Sequence, residues 1–378
     1  MVIKVCHFST GHDGNDARIF QKQCTSLADA GYDVTLIVPF GDSDTRNGVE
    51  IISLDCEVGG RLKRMVNISK EVFKRAVSVN ADIYHFHDPE LIPFGLKLKK
   101  MGKIVIFDSH EDTPADILNK DWIPRYLRLI VSKVYNFYES RAVKKFDSVI
   151  SVTPHIVDRF KKLNAQSFLI TNYPILEQVN DLAISDIDKD QNALVFVGRV
   201  CAESMQHKII EAISDIDDIR YIFAGPADDS YLESLKTLPG WHKCDYKGII
   251  SFSEANNLVI KGAAGVQITD YIPNFGYDKG SLGNTKMFTY MAAGIPLICT
   301  DMMLWKEIVE ENKCGICVNP RNVEEIRNAI NFIIENRDIG IEMGVNGRQA
   351  VKQKYNWSTQ VQLLLEIYES LGQKIQDA

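Results

Sequence analysis

VIKVCHFSTGHDGNDARIFQKQCTSLADAGYDVTLIVP, residues 2–39, holds two β-rich apolar runs around one helical run. Val2–Phe8 and Asp33–Pro39 are strand-like, and Ala17–Ala30 has helical periodicity. Neither strand run alternates apolar with polar residues, which is how strands read when a parallel sheet is covered on both faces. A strand, a helix and a second strand of this kind form a βαβ unit, and the chain repeats it. Val49–Asp55, Asp82–His87, Ile104–Ser109, Ser148–Thr153 and Phe168–Asn172 continue the strands, with Lys63–Val79 and Tyr126–Lys145 among the helices. The alternation stops at Asn172-Tyr-Pro, and the acidic, weakly periodic residues 176–192 read as a linker. It restarts with Ala193–Val197, Arg220–Ala224, Cys244–Lys247, Gly265–Thr269, Pro296–Thr300 and Gly315–Val318. Helices between these include Lys208–Ile213, Tyr231–Leu238, Met287–Ala293 and one opened by a Ser251-x-x-Glu254 capping pattern. Beyond Asn322 the pattern is helical only. The fold class is therefore α/β, with two doubly wound Rossmann-like domains in series and a ligand expected in a cleft between them.

Composition bounds the rest. A chain of 378 residues, 45% hydrophobic and 25% charged, carries two or three domains with cores of their own and is not disordered. No apolar run approaches the roughly 20 residues a membrane span needs. MVIKVCHF opens directly on a strand, so a cytoplasmic protein is expected. Its eight cysteines are scattered through apolar runs and read as reduced, buried thiols. The one CxxC, Cys314-Gly-Ile-Cys317, lacks a nearby second pair of zinc ligands. The net charge of −7 divides into +2 for residues 1–178 and −9 for the remainder, which argues against a nucleic-acid partner. Two stretches of the first half are basic. Residues 61–75 carry six basic side chains against one acidic, and residues 120–146 carry seven against two, interleaved with Trp122, Tyr126, Tyr135, Phe137 and Tyr138. Such a helix either lies on an anionic membrane surface or is a solvated face over a buried aromatic stripe.

Three loops could carry chemistry. Ser9-Thr-Gly-His-Asp-Gly-Asn-Asp16 follows the first strand, where Gly11 and Gly14 would let backbone N–H groups approach a ligand. Two strands end in polar clusters, His85-Phe-His87-Asp88 and Asp108-Ser-His110-Glu111-Asp112. Strand alternation puts His85 with His87, and Asp108 with His110, on one face. Histidines and carboxylates at a sheet edge do acid/base work, hold sugar hydroxyls or bind a metal. In the second half, Gly280-Ser-Leu-Gly-Asn-Thr-Lys286 precedes an apolar helix, and Arg199 ends the strand Ala193–Val197. Asn284, Thr285, Lys286 and Arg199 suit a diphosphate held without a metal.

These loops resemble those of GT-B glycosyltransferases, specifically the bacterial group similar to glycosyltransferase family 4. Asp16-Ala-Arg-Ile-Phe-Gln-Lys22, Ser26-Leu27 and Gly31-Tyr-Asp-Val34 resemble the group's opening DxRIFxK…SL…GYxV. His85-Phe-His-Asp-Pro-Glu-Leu91 and Asp108-Ser-His-Glu-Asp112 are similar to its HxHDPEL and DxHED signatures. Tyr290-Met-Ala-Ala-Gly-Ile-Pro296, Trp305-Lys-Glu-Ile308, Cys314-Gly-Ile-Cys317 and Tyr355-Asn-Trp357 are similar to its later motifs. The resemblance implies an acceptor-side domain over residues 1–175, a linker over 176–192 and a nucleotide-sugar domain over 193–355. A last helix, 356–378, would cross back to the first domain.

By the same resemblance, a sugar passes from a nucleotide-diphosphate donor to a glycan or lipid-linked acceptor, with retention and with neither metal nor cofactor. His110, Arg199 and Lys286 would be catalytic. Gly14, Gly225, Gly248, Asn284, Thr285 and Thr289 would bind the donor, and Gly11, Asp16, His87, Asp88 and Glu111 would face the acceptor and sugar. The basic first half would dock on the inner face of the cytoplasmic membrane, near an acceptor for surface polysaccharide such as lipopolysaccharide or capsule. The family commonly has Glu within FEYMAAG; here that position is Thr289, and the companion acidic position is Ser281. Those departures leave the further expectation of a non-catalytic GT-B protein that binds a partner transferase or nucleotide sugar, and the His110-Glu111-Asp112 cluster allows a sugar-nucleotide epimerase.

Overall fold

Strand β1 (Lys4–Phe8) is the centre on which the first half of the molecule is built. The computed structural model describes residues 2–54, 56, 64–120, 122–176 and 190–376. It divides into a first unit of residues 1–172 with 357–378, and a second of residues 173–356. In the first unit β2 (Asp33–Val38), β3 (Asp44–Arg46), β4 (Val49–Ser53), β5 (Ile83–Phe86), β6 (Ile104–Ser109), β7 (Ser148–Ser151) and β8 (Ser167–Leu169) join β1 in one sheet. The order is β3-β4-β2-β1-β5-β6-β7-β8, parallel except for β3 against β4. That antiparallel hairpin is absent from the sequence reading. Its signal was the Asn47-Gly48 dipeptide, whose positive φ angles of 49° and 73° close a two-residue turn.

Register explains the unit's character. Phe8 lies beside Phe86, which lies beside Phe107, and these side chains enter an apolar core with Cys6, Tyr84, Val72 and Phe146. One residue along, His7 lies beside His85. Because alternation sends neighbours to opposite faces, the second face of the same strands carries His7, His85 and Asp108, all fully buried. The sheet is apolar on one side and polar on the other.

The second unit has six parallel strands, β9 (Ala193–Val197), β10 (Arg220–Ala224), β11 (Cys244–Tyr246), β12 (Ala264–Gln267), β13 (Leu297–Thr300) and β14 (Gly315–Val318). Their order is β11-β10-β9-β12-β13-β14. Here both faces are apolar. Val195 packs with Met287, Tyr290 and Trp305, while Leu194 and Phe196 pack with Ile209, Tyr221 and Ile330. The capping box at Ser251 is formed, with Ser251 Oγ accepting from Glu254 N at 3.3 Å and Glu254 Oε2 accepting from Ser251 N at 2.8 Å. Strand limits differ from the sequence boundaries by up to three residues. All eight cysteines are free thiols, and Cys299 and Cys317 sit 3.7 Å apart as register partners on β13 and β14. Residues 177–189 of the expected linker and 61–63 of the first basic stretch lie outside the described residues.

Helices Val323–Glu335 and Arg337–Gln353 belong to the second unit, whereas Ser358–Gln376, the tail helix, packs in the first. Trp357 Nε1 donates to Ser26 Oγ at 2.9 Å, and Thr171 N donates to Gln360 Oε1 at 2.9 Å. Leu364, Ile367, Tyr368 and Leu371 are buried. Leu364→Ala should therefore cost about 2–4 kcal/mol of first-unit stability, the usual range for emptying a fully buried leucine site. Hydrogen exchange read by mass spectrometry should show faster exchange in β1, β2 and β5 and unchanged protection in β9–β14. Equal loosening in both units would contradict the assignment of the tail.

Candidate functional site

The loop after β1 is held by carboxylates. Asp88, following β5, accepts from Ser9 Oγ and from Thr10 N, both at 2.7 Å, and Thr10 Oγ1 donates to Glu90 Oε1 at 2.9 Å. Asp16 accepts from the backbone N–H groups of Arg18 and Ile19, both at 2.8 Å, so it caps the following turn. Its other oxygen lies 2.8 Å from His12 Nδ1. Burial opposes the charge on both groups, but their pairing wins, holding the Asp16 carboxyl well below its usual range and raising the His12 imidazole. The turn itself is wider than an α-helix, with Gln23 N donating to Arg18 O at 3.0 Å across five residues. That spacing sets Arg18 and Gln23 over the same point of the sheet.

The point is Asp108. Arg18 grips it with two bonds, Nε to Oδ2 at 3.0 Å and Nη2 to Oδ1 at 2.9 Å, and Gln23 Nε2 adds a third to Oδ2 at 2.7 Å. Burial alone would raise this carboxyl; the Arg18 guanidinium and the hydrogen-bonding histidines instead hold it well below the usual carboxylate range. Four imidazoles crowd around it. His7 Nδ1 meets His87 Nε2 at 3.0 Å, and His87 Nδ1 meets His110 Nε2 at 3.3 Å. Tyr368 Oη, from the tail helix, touches His85 Nδ1 at 2.8 Å and His7 Nε2 at 3.0 Å. Burial keeps His7 and His85 neutral far below the usual imidazole range, and with neighbouring rings it depresses His87 to about 3.

His87 Nδ1, His110 Nε2 and Asp108 Oδ2 form a triangle with 3.3–3.5 Å sides. Bonds of about 2.0–2.1 Å to a tetrahedral cation would give sides of about 3.3–3.4 Å. The donor set nevertheless fits a cation poorly. Asp108 Oδ2 already accepts from Arg18 and Gln23, and the guanidinium already balances its charge. In the neighbouring trio His7, His85 and His87, the facing nitrogens are spent on one another and on Tyr368. With the exception of His85 Nε2, the buried ring nitrogens of these residues are partnered in one hydrogen-bonded network.

Above that network opens a pocket of about 810 Å³, lined by Gly11, His12, His87, Asp88, His110 and Glu111 on one side. Trp122, Ile123, Val131, Tyr135 and Tyr138 line the other. Burial and the nearby Asp116 raise the Glu111 carboxyl. Gly14 does not line this pocket; it packs on Ile51, and its carbonyl accepts from Arg46 Nη2 at 2.9 Å. Helix Arg125–Val143, along the pocket, corrects one expectation: a buried aromatic stripe is not formed. Tyr126 is 79% exposed and Phe137 62%, with Trp122, Ile130 and Val134 also outward.

In the second unit the expected donor residues cluster at strand ends. Gly198 follows β9 and Gly225 follows β10, with Gly198 N donating to Ala224 O at 2.9 Å and Gly225 N to Gly248 O at 2.7 Å. Lys286 crosses Gly198 so closely that a Cβ there would lie 2.1 Å from its Cε. Its Nζ lies 5.7 Å from the Phe196 ring centre and 3.5 Å from Asn284 Oδ1, and burial lowers its pKa. Arg199 is exposed and pairs with Asp228 at 2.6 Å. Thr285 precedes the helix Lys286–Ala292, and its carbonyl accepts from Thr289 Oγ1 at 3.2 Å. Ser281 Oγ accepts from Gly283 N, and its carbonyl accepts from Trp305 Nε1 at 2.8 Å.

Sequence reading assigned no role to His7, Arg18, Gln23 or Tyr368. His7 was findable as the register partner of His85 on a neighbouring parallel strand. Arg18 sat inside a quoted motif without a function, and Tyr368 acquires one only when the tail returns to the first sheet.

Residues 17–171 match the model of Glycosyltransferase Family 4, and residues 191–336 match that of Glycosyl transferases group 1. An uncharacterised glycosyltransferase of Methanocaldococcus jannaschii is 27% identical over 199 residues, 50% of this chain and 48% of that protein. The chain thus aligns with about half the length of such curated relatives. Among solved structures, sucrose-phosphate synthase from Thermosynechococcus elongatus has a TM-score of 0.76 at 17% identity, covering 98% of this chain and all of that one. Anabaena HepE, solved with UDP-glucose, has a TM-score of 0.69 at 14% identity, covering 97% and 100%.

Asp108→Asn should destabilise the protein by about 3–5 kcal/mol at pH 7, because it strands the Arg18 charge in the interior. Since the folded pKa lies below the unfolded one, wild-type Asp108 contributes fully above about pH 4–5 and loses that contribution as pH falls further. The gap between the two proteins, measured by urea unfolding, should therefore narrow in acid. A gap under about 1 kcal/mol at pH 7 would mean that Arg18 does not depend on this carboxylate.

Proposed function

The chain belongs to the GT-B glycosyltransferases of the family 4 type, and on that premise we propose that it transfers a sugar from a nucleotide-diphosphate donor to a hydroxyl of a glycan or lipid-linked acceptor. The observation that carries the donor half is Lys286. Its ammonium is desolvated at the end of β9, with no carboxylate within 4.0 Å among the described residues. A half-buried, partly desolvated cation without an anion gains from a ligand that supplies one. A nucleoside diphosphate bound across Gly198, Gly225 and Gly248 would do so. As the sugar leaves, negative charge grows on the diphosphate, and cations already in place stabilise it without reorganising. Arg199 is the second. Its ion pair with Asp228 is exposed and worth under about 1 kcal/mol, so exchange for a phosphate is cheap. This arrangement supports transfer with fixed protein cations at the diphosphate, and we assign retention at the anomeric carbon by family type. The Anabaena neighbour solved with UDP-glucose supports the donor class.

The acceptor half rests on the first unit's pocket and the helix beside it. No helix among the described residues is long and apolar enough to cross a membrane. Yet Tyr126, Ile130, Val134 and Phe137 are exposed on one helix, with Lys133, Arg141 and Lys144 exposed around them. Burying each apolar side chain in a lipid interface is worth roughly 1.5–3 kcal/mol, and each cation near an anionic surface about 1 kcal/mol. This supports peripheral docking on the inner face of the cytoplasmic membrane, where a lipid-linked acceptor for surface polysaccharide would meet the pocket. A second reading, donor binding without transfer, is favoured by one observation: the Thr289 hydroxyl is spent within its own helix.

A melting-temperature screen against UDP, GDP, dTDP, CMP and ADP should single out one nucleotide, since saturation at 100 times Kd adds about 2.7 kcal/mol. Lys286→Ala and Arg199→Ala should each weaken that nucleotide at least about tenfold without lowering the unliganded melting temperature. No shift with any nucleotide or its sugar would refute the donor site. Binding without turnover of the sugar nucleotide in the presence of lipid-linked acceptors would select the second reading. Separately, Tyr126→Glu with Phe137→Glu should reduce sedimentation with phosphatidylglycerol vesicles by at least about tenfold. Equal binding of the variant, or none by either protein, would remove the membrane from the scheme.

A further inference from the structure

We propose that Tyr368, on the tail helix, is a positioning residue that fixes the tautomer of His110 through a relay of buried imidazoles, leaving His110 Nδ1 as the bare, hydrogen-bond-accepting nitrogen. The argument is one of proton counting. His7, His85 and His87 are fully enclosed, and burial keeps each ring neutral. A neutral imidazole donates from one nitrogen and accepts at the other. Every bond in the series His85, Tyr368, His7, His87, His110 must therefore run in the same direction.

Asp108 chooses the direction. Its Oδ2 lies 3.9 Å from His85 Nε2, which has no hydrogen-bond partner, and 3.5 Å from His110 Nε2. If His85 carries its proton on Nε2, that N–H faces the carboxylate and Nδ1 accepts from the Tyr368 hydroxyl. Tyr368 Oη then accepts from His7 Nε2–H, and His7 Nδ1 accepts from His87 Nε2–H. His87 Nδ1 is left bare, so His110 supplies the proton at its Nε2, shared between His87 Nδ1 and Asp108 Oδ2. Two N–H groups face the carboxylate in this arrangement. The reverse arrangement leaves one N–H toward it, from His87, and aims two lone pairs at it. The first is the lower in electrostatic energy. With His110 in its neutral form, it makes all four rings Nε2–H tautomers. His110, one-fifth exposed, lines the pocket, and its Nδ1 has no protein partner among the described residues. That bare nitrogen is ready to accept from a sugar or acceptor hydroxyl; this last consequence rests on the transferase reading, whereas the tautomer does not.

The test is imidazole nitrogen NMR on the full chain labelled with 15N-histidine, assigned by single His→Gln changes, with no substrate present. His7, His85, His87 and His110 should each show a protonated Nε2 and a bare Nδ1. Tyr368→Phe keeps the ring in place but removes the hydroxyl that couples His85 to His7, and should turn the His110 signal into a tautomer mixture. Trp357→Phe, which loosens the same tail at Ser26 without touching the relay, should leave it unchanged. A proton on His110 Nδ1 in the wild type would overturn the proposal, and so would an unaltered His110 in Tyr368→Phe. An equal change in Trp357→Phe would reduce Tyr368 to tail docking and overturn it too. Should Tyr368→Phe fail to fold, the four wild-type tautomers still decide. If the tautomers are as expected and no nucleotide binds, the relay stands and the transferase reading falls.

Discussion

A carboxylate with no access to water stays ionised only if the protein replaces its hydration, and the first unit is organised around doing that for Asp108. The penalty for burying such a charge is several kcal/mol, and one pairing does not offset it without further hydrogen bonds. Arg18 supplies two bonds, Gln23 a third, and the wide turn between them is what lets residues five apart reach one oxygen. The same guanidinium donates to Ile170 O at 3.0 Å, beyond β8. Lys22, one turn away, donates to the Asn172 side chain at 2.5 Å, and burial followed by the Arg18 charge depresses its pKa to about 7. The ion pair thus ties the loop after β1, the centre of the sheet and the end of the domain's chain into one constraint.

The two units solve the same packing problem in different ways. A parallel sheet must cover both faces, and the second unit does so with aliphatic and aromatic side chains, leaving its chemistry to the strand ends. There, glycine lets a lysine cross the sheet's edge within van der Waals contact of the backbone. The first unit gives up apolar packing on one face for a polar layer in which nearly every nitrogen has a partner. Such a layer is costly when incomplete and rigid when complete. The tail helix supplies the missing member, since without the Tyr368 hydroxyl both His7 and His85 would bury a nitrogen with nothing opposite.

The architecture was legible because parallel strands buried on both faces leave apolar runs, unbroken in Ala193–Val197 and ended by Asp108-Ser109 in Ile104–Ser109, and the observed limits of both strands coincide with those read from the sequence. The hairpin at Asp44–Arg46 escaped because three polar residues carry no apolar signal, although Asn47-Gly48 did carry a turn signal. His85, His87, Asp108 and His110 were readable as one face by counting residues in twos. Their partners were not, for a physical reason: Arg18, Gln23 and Tyr368 reach the cluster from 90, 85 and 260 residues away along the chain relative to Asp108. Periodicity carries no information about contacts of that span. Gly14 and Asp16 show how little such a loop discloses on its own, since a glycine- and aspartate-rich turn has the same composition whether its groups face a ligand or, as Asp16 and Gly14 do here, cap a turn and pack on Ile51.

The first unit is inverted relative to the usual rule, with histidines, arginine and aspartate enclosed and Tyr126, Ile130, Val134 and Phe137 outside. Neither half of that inversion helps the isolated domain. Exposed apolar side chains forgo roughly 1.5–3 kcal/mol each, and an enclosed ion pair is at best neutral against an apolar replacement of the same shape. What the inversion produces is a stiff polar floor to a pocket whose rim is greasy and basic. A lipid-borne glycan presents the matching sequence of chemistries, hydroxyls at one end and alkyl chains with an anionic headgroup at the other. The lipid-linked acceptor proposed above would use both floor and rim, whereas a freely diffusing sugar would use the floor alone.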